Sequence, residues 1–377
     1  MKRRFALPVL LGAALFTGQA DDVFTVENTN FLLHQPDLLD TTEYLYDYDR
    51  LRLSAVWRGE TFFMTAIGDA VNYLGYDYVH SADYEYLDAL RPDIPFEVRT
   101  ESQMYGAGTA YARIHRLYGG YDDGLQRLSA GIQKISMGVG RIWTPTDLYN
   151  PKNSYAMEPD EVYGVLAFSY AYALTDLSTA SAVVSIRKDR SLKYAARYKG
   201  YLAFADVGID FIQSDDTLMV GYEIEGNLFD TGAEWRSEGG YFKNDPLDAA
   251  FFQGIIGFDY GFENGVTWAV EGLYTSQTFT YEALIADYEN EIINNMVLSP
   301  FYLGTTLSYD FNLLYSGSLL YIESFDGANS RFVVPTLTYS LGDHHTFSAS
   351  AMLSQGGSDS EFRAFGNTYY LKWAMSY

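Results

Sequence analysis

The chain ends in Tyr369-Tyr370-Leu371-Lys372-Trp373-Ala374-Met375-Ser376-Tyr377. The odd positions Tyr369, Leu371, Trp373, Met375 and Tyr377 are all large and apolar or aromatic. Between them Lys372, Ala374 and Ser376 are polar or small. Alternation with a period of two describes a β-strand with one greasy face and one wet face. An ordinary soluble strand can carry this pattern, but a soluble chain seldom stops on it.

The same alternation recurs upstream. In residues 44–60, Leu51, Leu53, Ala55 and Trp57 share one face, while Arg50, Arg52, Ser54 and Arg58 share the other. Residues 23–33 read as a first strand and 62–73 as a third. Residues 74–100, rich in Asp, Tyr and Pro, read as a long loop. Strands follow at 105–118, 126–143, 162–174, 178–187, 192–199, 201–213, 217–228, 233–240, 251–262 and 266–275. In the last pair, Asn264-Gly265 between two alternating runs is the strongest short hairpin signal. After a second long loop at 276–299, strands are expected at 301–311, 313–323, 331–341 and 346–355, and the closing strand begins near Arg363. Acidic and glycine-rich turns at 325–327 and 356–361 separate them.

That makes about 16 strands, or 18 when the N-terminal segment and one ambiguous hairpin are counted. A terminal strand that ends on an aromatic residue resembles the C-terminal signature of Gram-negative outer-membrane barrels. The resemblance implies that the insertion machinery of that membrane reads this strand. The expected fold is all-β, a transmembrane antiparallel up-and-down barrel. In lipid each unpaired backbone amide costs several kcal/mol, so a spanning sheet has to close on itself.

Composition agrees. Lys2, Arg3 and Arg4, then an apolar run over residues 5–16 and Gly18-Gln19-Ala20, describe a secretory signal peptide over residues 1–20. Residues 21–377 form a single barrel domain, with no linker or low-complexity tail. The 34 tyrosines and 24 phenylalanines exceed what a soluble core requires and suit two interfacial girdles. With no cysteine, disulfides and thiolate metal sites are excluded. The formal charge is −24, and losing the three basic signal residues takes it to about −27. Such a chain repels a phosphate backbone and is no general nucleic-acid binder. It suits a surface facing outer-membrane lipid, lipopolysaccharide and divalent cations, although solubility alone explains the charge equally well.

One stretch departs from plain alternation: Gly138-Val139-Gly140-Arg141-Ile142-Trp143-Thr144-Pro145-Thr146-Asp147-Leu148-Tyr149-Asn150-Pro151. It resembles the glycine-, arginine- and tryptophan-rich strand followed by a Pro-Thr-Asp and Asn-Pro loop in poorly characterised porin-like outer-membrane proteins. Gly138 and Gly140 allow a kink or a close backbone approach, and Pro145 and Pro151 stop ladder pairing. Two readings stand: a turn that ends a strand, or a loop folded into the barrel that narrows the pore. On the second, Arg141 and Asp147 are the lumen-facing pair.

Charge is segregated along the chain. Arg50, Arg52, Arg58, Arg113, Arg127, Arg187, Lys193, Arg197 and Lys199 fall mostly on inward faces of the first part. Glu223, Glu225, Glu234, Glu238, Asp259 and Glu271 fall inward in the second. Sequence order is order around a closed wall, so these charges set a basic side against an acidic side. Such a field orients polar solutes and sorts ions, unless the charges merely pair across neighbouring strands.

Catalysis has no comparable signal. Of five histidines only His115 falls in a strand, and no Ser stands in a recognisable nucleophile setting beside it. The acidic runs at 83–88 and 215–216 are ordinarily just solvated, and no cofactor or metal site is expected. The expected function is a porin-like channel for passive diffusion of small polar or ionic solutes, with homo-oligomers open. The alternatives are the barrel component of an export or lipid-trafficking system and, third, a rim hydrolase.

Overall fold

The computed structural model describes residues 23–37, 42–245, 248–280, 298–325, 329–357 and 360–377. The expected signal peptide, most of the 276–299 loop and part of the 325–327 turn lie outside the described residues. The first half supplies β1 (Val23–Pro36), β2 (Glu43–Arg58), β3 (Phe62–Leu74), β4 (Gln103–Tyr105), β5 (Gly108–Asp122), β6 (Gln126–Gln133), β7 (Val165–Thr175), β8 (Ser178–Ile186) and β9 (Leu192–Leu202). The second half supplies β10 (Ala205–Gln213), β11 (Thr217–Asn227), β12 (Ala233–Asn244), β13 (Ala249–Gly261), β14 (Val266–Thr275), β15 (Phe301–Asp310), β16 (Tyr315–Ser324), β17 (Ser330–Leu341), β18 (His345–Gln355) and β19 (Thr368–Ser376).

All nineteen belong to one antiparallel sheet. The short β4 pairs only with β5, and the other strands form a closed 18-stranded barrel. Closure is made by β1 against β19, with Asn30 opposite Trp373 and Leu32 opposite Leu371. Val26 and Tyr377 exchange backbone hydrogen bonds of 2.9 and 3.0 Å at the end of this seam. No free edge remains between first and last strand, which is what a hydrocarbon surround demands.

The pleat sorts the side chains. Tyr369, Leu371 and Trp373 stand exposed on the outer face, as do Tyr194, Tyr198, Val220, Tyr241 and Trp268 elsewhere on the wall. The Phe347 and Trp373 rings stack with centroids 6.3 Å apart. Arg50, Lys193, Glu223 and Glu238 alternate with these residues and are buried inside. An exterior of this kind is stable only against lipid, since water would charge about 25 cal/mol for each Å² of apolar surface left wet.

The two rims differ. On one, tight turns join β2 to β3, β5 to β6 and every second pair after that, and β1 starts and β19 ends there. Gly265, with φ of 85°, closes the Asn264-Gly265 turn as its sequence requires. From the other rim leave the long connections 75–107 and 134–164. The first is no plain loop: it carries helices α1 (Tyr76–Val79) and α2 (Ala82–Ala89), the latter capped by the Ser81 side chain accepting from Tyr84 N–H. The acidic run at 83–88 therefore lies in α2, and Asp88 pairs with Arg99 at 2.6 Å.

Candidate functional site

Strand β6 stops at Gln133 rather than running to Trp143. Its backbone leaves the sheet but keeps its alternation: Ile135, Met137 and Val139 are buried while Lys134 and Ser136 are exposed. The buried residues meet the inner wall of the barrel. Ile135 and Met137, with Leu148 and Tyr149 from the returning limb, pack on Val183, Ala195, Ile212, Met219 and Phe242 of β8 to β12. Ile142 and Trp143 pack on Ile255, Leu273 and Tyr302 of β13 to β15. The segment 134–164 is thus folded into the lumen.

An extended backbone outside a sheet must find other hydrogen-bond partners. Here side chains supply them. Ile135 N–H donates to Asn150 Oδ1 at 2.8 Å and Met137 N–H to Asp147 Oδ2 at 3.0 Å. From Gly138 to Trp143 every backbone N–H donates to a wall carboxylate. Gly138 reaches Glu223 at 2.6 Å, and Val139 and Gly140 reach Glu238 at 2.7 and 3.0 Å. Arg141, Ile142 and Trp143 reach Glu271 at 2.5, 2.8 and 3.2 Å. Thr146 adds its N–H and its hydroxyl to Glu238, each at 2.8 Å.

Small residues make the close approach possible. Gly138 has φ of 84°, and a Cβ there would lie 2.6 Å from both Glu238 carboxylate oxygens. On the wall, a Cβ on Gly304 would come within 2.6 Å of Ile142 Cδ1 and 2.8 Å of Trp143. A Cβ on Gly221 would meet Thr146 Cγ2 at 2.8 Å.

The far limb crosses to the opposite wall, and there the polarity reverses. Glu158 takes a two-pronged hydrogen bond from Arg50 at 2.8 and 3.1 Å and a further one from Lys372 at 3.2 Å. Glu161 takes two from Arg52, at 2.6 and 3.1 Å, and one from Arg113 at 3.3 Å. Burial pushes the Glu161 carboxyl up, but Arg52, His115 and Arg50 together hold it below the usual range. Buried Arg116 ties the end of the limb through Val162 O at 2.7 Å.

Asp69, His115 and Glu161 bring possible metal-ligand atoms within 4.8 Å of one another. Arg52 and Arg113 already occupy both carboxylates. A cation there would have to displace guanidinium groups from a crowded positive site, so the cluster reads as an ion-pair network.

The residues expected to line the pore fall into two groups. Arg141 has a side chain 46% exposed and bridges Glu225 at 3.2 Å, Asp259 at 3.2 Å and Glu234 at 3.7 Å. Lys199 is 39% exposed, 4.0 Å from Glu223. Beside Arg141, Glu234 is exposed and Glu225 and Asp259 are part-buried, whereas the remainder are buried or nearly so. Glu223, Glu238 and Glu271 lie under the loop, and Arg113 lies against Asp69. Lys193 Nζ donates to Leu148 O at 2.7 Å and lies over the Tyr149 ring. Arg187 bridges Asp93 at 3.0 Å and Asp216 at 3.2 Å, and Arg197 bridges Asp210 at 3.3 Å and Glu223. Asp147 lies apart from Arg141, accepting Met137, Tyr149 and Asn150 N–H groups. Burial raises its carboxyl to about 6 against those hydrogen bonds. Glu158 and Glu161 were not singled out in the sequence, although two carboxylates shortly before a strand facing Arg50, Arg52 and Arg113 were there to be matched.

No known family model matches the sequence, and no curated protein matches it. Solved structures do. OpdK of Pseudomonas aeruginosa, solved with vanillate, aligns with a TM-score of 0.60 at 9% identity over 95% of this chain and 98% of its own. OccAB2 of Acinetobacter baumannii gives 0.57 at 11% identity over 95% and 98%. OccAB4 of the same organism gives 0.58 at 13% identity over 94% and 98%. At such identities the likeness is one of fold: the same closed barrel, matched over nearly the whole of both chains.

Proposed function

We propose that this protein is an outer-membrane, porin-like channel through which small polar or ionic solutes diffuse passively. One observation carries the reading: a closed barrel with a polar interior holds an internal segment wired by its backbone to the lumen wall. A plug meant to leave would not be fixed through consecutive amides to buried carboxylates. A fixed constriction would. The glycine, arginine and tryptophan stretch with its Pro-Thr-Asp and Asn-Pro turn is, on this reading, the constriction motif. The fold shared with OpdK, described as an outer membrane protein, supports the location.

Arg141, Lys199, Glu225, Glu234 and Asp259 then meet the passing solute, and the buried charges set the shape and the field around it. Outer-membrane lipid and lipopolysaccharide surround the barrel, and the insertion machinery recognises β19. Single-channel recording in planar bilayers tests the core of this. Stable open steps whose ion preference changes when Arg141 and Lys199 are neutralised support it. A folded protein that inserts and stays silent at every voltage and salt concentration overturns it.

A further inference from the structure

On the short-turn side of the constriction, the inner wall between β7 and β10 opens into a recess of about 510 Å³. Its floor is hollow because Ala171, Thr179, Ser181 and Gly200 bring little side-chain bulk. Register places Thr179 opposite Lys199 and Ser181 opposite Arg197 on neighbouring strands. Directly opposed residues on one face have Cβ atoms about 5 Å apart, so each hydroxyl stands beside a cation. On the other flank Lys199 faces Gly208, which offers no side chain, and Asp206 follows two residues earlier, opposite Tyr201.

The charges in this recess do not add up to an anion site. Arg197 is already held by Asp210 and Glu223. Lys199 remains with Glu223 at 4.0 Å, while Asp206 and Asp176 also face the recess. What the wall presents is a set of unused donors and acceptors side by side. Among the described residues the side chains of Thr179, Ser181 and Asp206 make no hydrogen bond or ion pair, and the exposed Tyr201 ring stands at the edge. A carboxylate or phosphate would satisfy Lys199 and be repelled by Asp206, and an ammonium would meet the reverse. A neutral hydroxyl both donates and accepts, so a molecule carrying several can serve both at once.

We propose that this recess is a binding subsite for a neutral polyhydroxylated solute of monosaccharide size, held between Lys199, Thr179 and Ser181 on one side and Asp206 on the other. The proposal rests on the channel reading above and names a solute class for it. The full chain in detergent, titrated calorimetrically with glucose, reads the subsite without any current. Glucose-induced blockades in planar bilayers, each scored against the variant's own open current, read it in the channel.

Saturable glucose binding, weakened about tenfold by Thr179→Val and by Asp206→Asn as expected for one lost hydrogen-bond partner, supports the subsite. Gluconate and glycine should bind more weakly than glucose. Preference for gluconate or glycine overturns the proposal in favour of a charged-solute site, and binding that neither variant changes places glucose elsewhere and also overturns it. A conducting channel that binds no glucose sinks this inference alone. A silent protein that binds glucose sinks only the channel reading.

Discussion

The lumen holds one segment by two walls, and the walls work in opposite ways. On β11 to β14 the wall supplies carboxylates and the loop supplies backbone N–H groups. On β2, β5 and β19 the wall supplies cations and the loop supplies the side chains of Glu158 and Glu161. Backbone donors cannot be mutated away or change rotamer, so the first wall fixes where the chain runs. Ion pairs on a partly wet surface are adjustable and are weakened by salt. The difference teaches which half of the constriction is frame and which half can be tuned.

The comparison breaks most severely at Glu238. Replacing it with Ala leaves the amides of Val139, Gly140 and Thr146 without acceptors in a place water does not reach. Each such orphan costs about 1–3 kcal/mol. The urea midpoint in detergent should fall sharply, and amide exchange over 138–146 should accelerate. A variant as stable and as protected as the wild type would remove the frame from the argument. Gly304→Val attacks the same wall by bulk, pressing on Ile142 and Trp143. Overpacking of this kind costs about 1–3 kcal/mol, so a smaller drop in the same midpoint is expected.

On the cationic wall Glu161→Gln should cost only about 1 kcal/mol, because Arg52 and Arg113 retain Asp69 and the pair is partly solvated. Raising KCl from 0.1 to 1 M shortens the screening length from about 10 to about 3 Å. Exchange should then speed up over 156–162 and stay unchanged over 138–146. Equal acceleration of both stretches would erase the distinction between the walls.

Asp147 sharpens it through pH. Its folded carboxyl is raised to about 6 from 3.8, so the fold favours the protonated form. The associated stabilisation is full below about 4 and is lost as pH rises through about 6. Protection of Tyr149 and Asn150 amides should therefore be greater at pH 5 than at pH 7.5, and Asp147→Asn should flatten that slope. Glu161, held below the usual range, runs the other way: its contribution is present above about 4.5 and fades only as pH falls through its folded value. The smallest structural effect belongs to Arg141→Ala. Its half-exposed side chain should change stability by less than about 0.5 kcal/mol, yet reversal potentials should shift toward cations, as Glu225, Glu234 and Asp259 lose their counter-charge.

Strand positions were legible wherever alternation is enforced by oil on one side and water on the other, as in residues 369–377 or at Asn264-Gly265. Alternation also misled. Residues 134–139 keep a period of two because one side packs on an inner wall and the other meets the lumen, so the stretch is indistinguishable by pattern from a strand that continues β6. What separates them is the partner of each amide, and hydrogen-bond partners between distant residues leave no local trace. Only Gly138, Gly140, Pro145 and Pro151 hinted at it. For the same reason the inward positions of Glu223, Glu238 and Glu271 could be read from their strands, while the loop amides they hold could not. Helix α2 was obscured by its own composition, since its tyrosines and acids carry little amphipathic signal.

Glu158 is clasped by Arg50 on the second strand and by Lys372 on the last. The carboxylate and the lysine are 214 residues apart in the chain. That second clasp cannot exist until the final strand arrives. The anchorage of the internal segment is therefore complete only in the closed barrel, and a sheet lacking its final ribbon would have neither its seam nor this hold on Glu158.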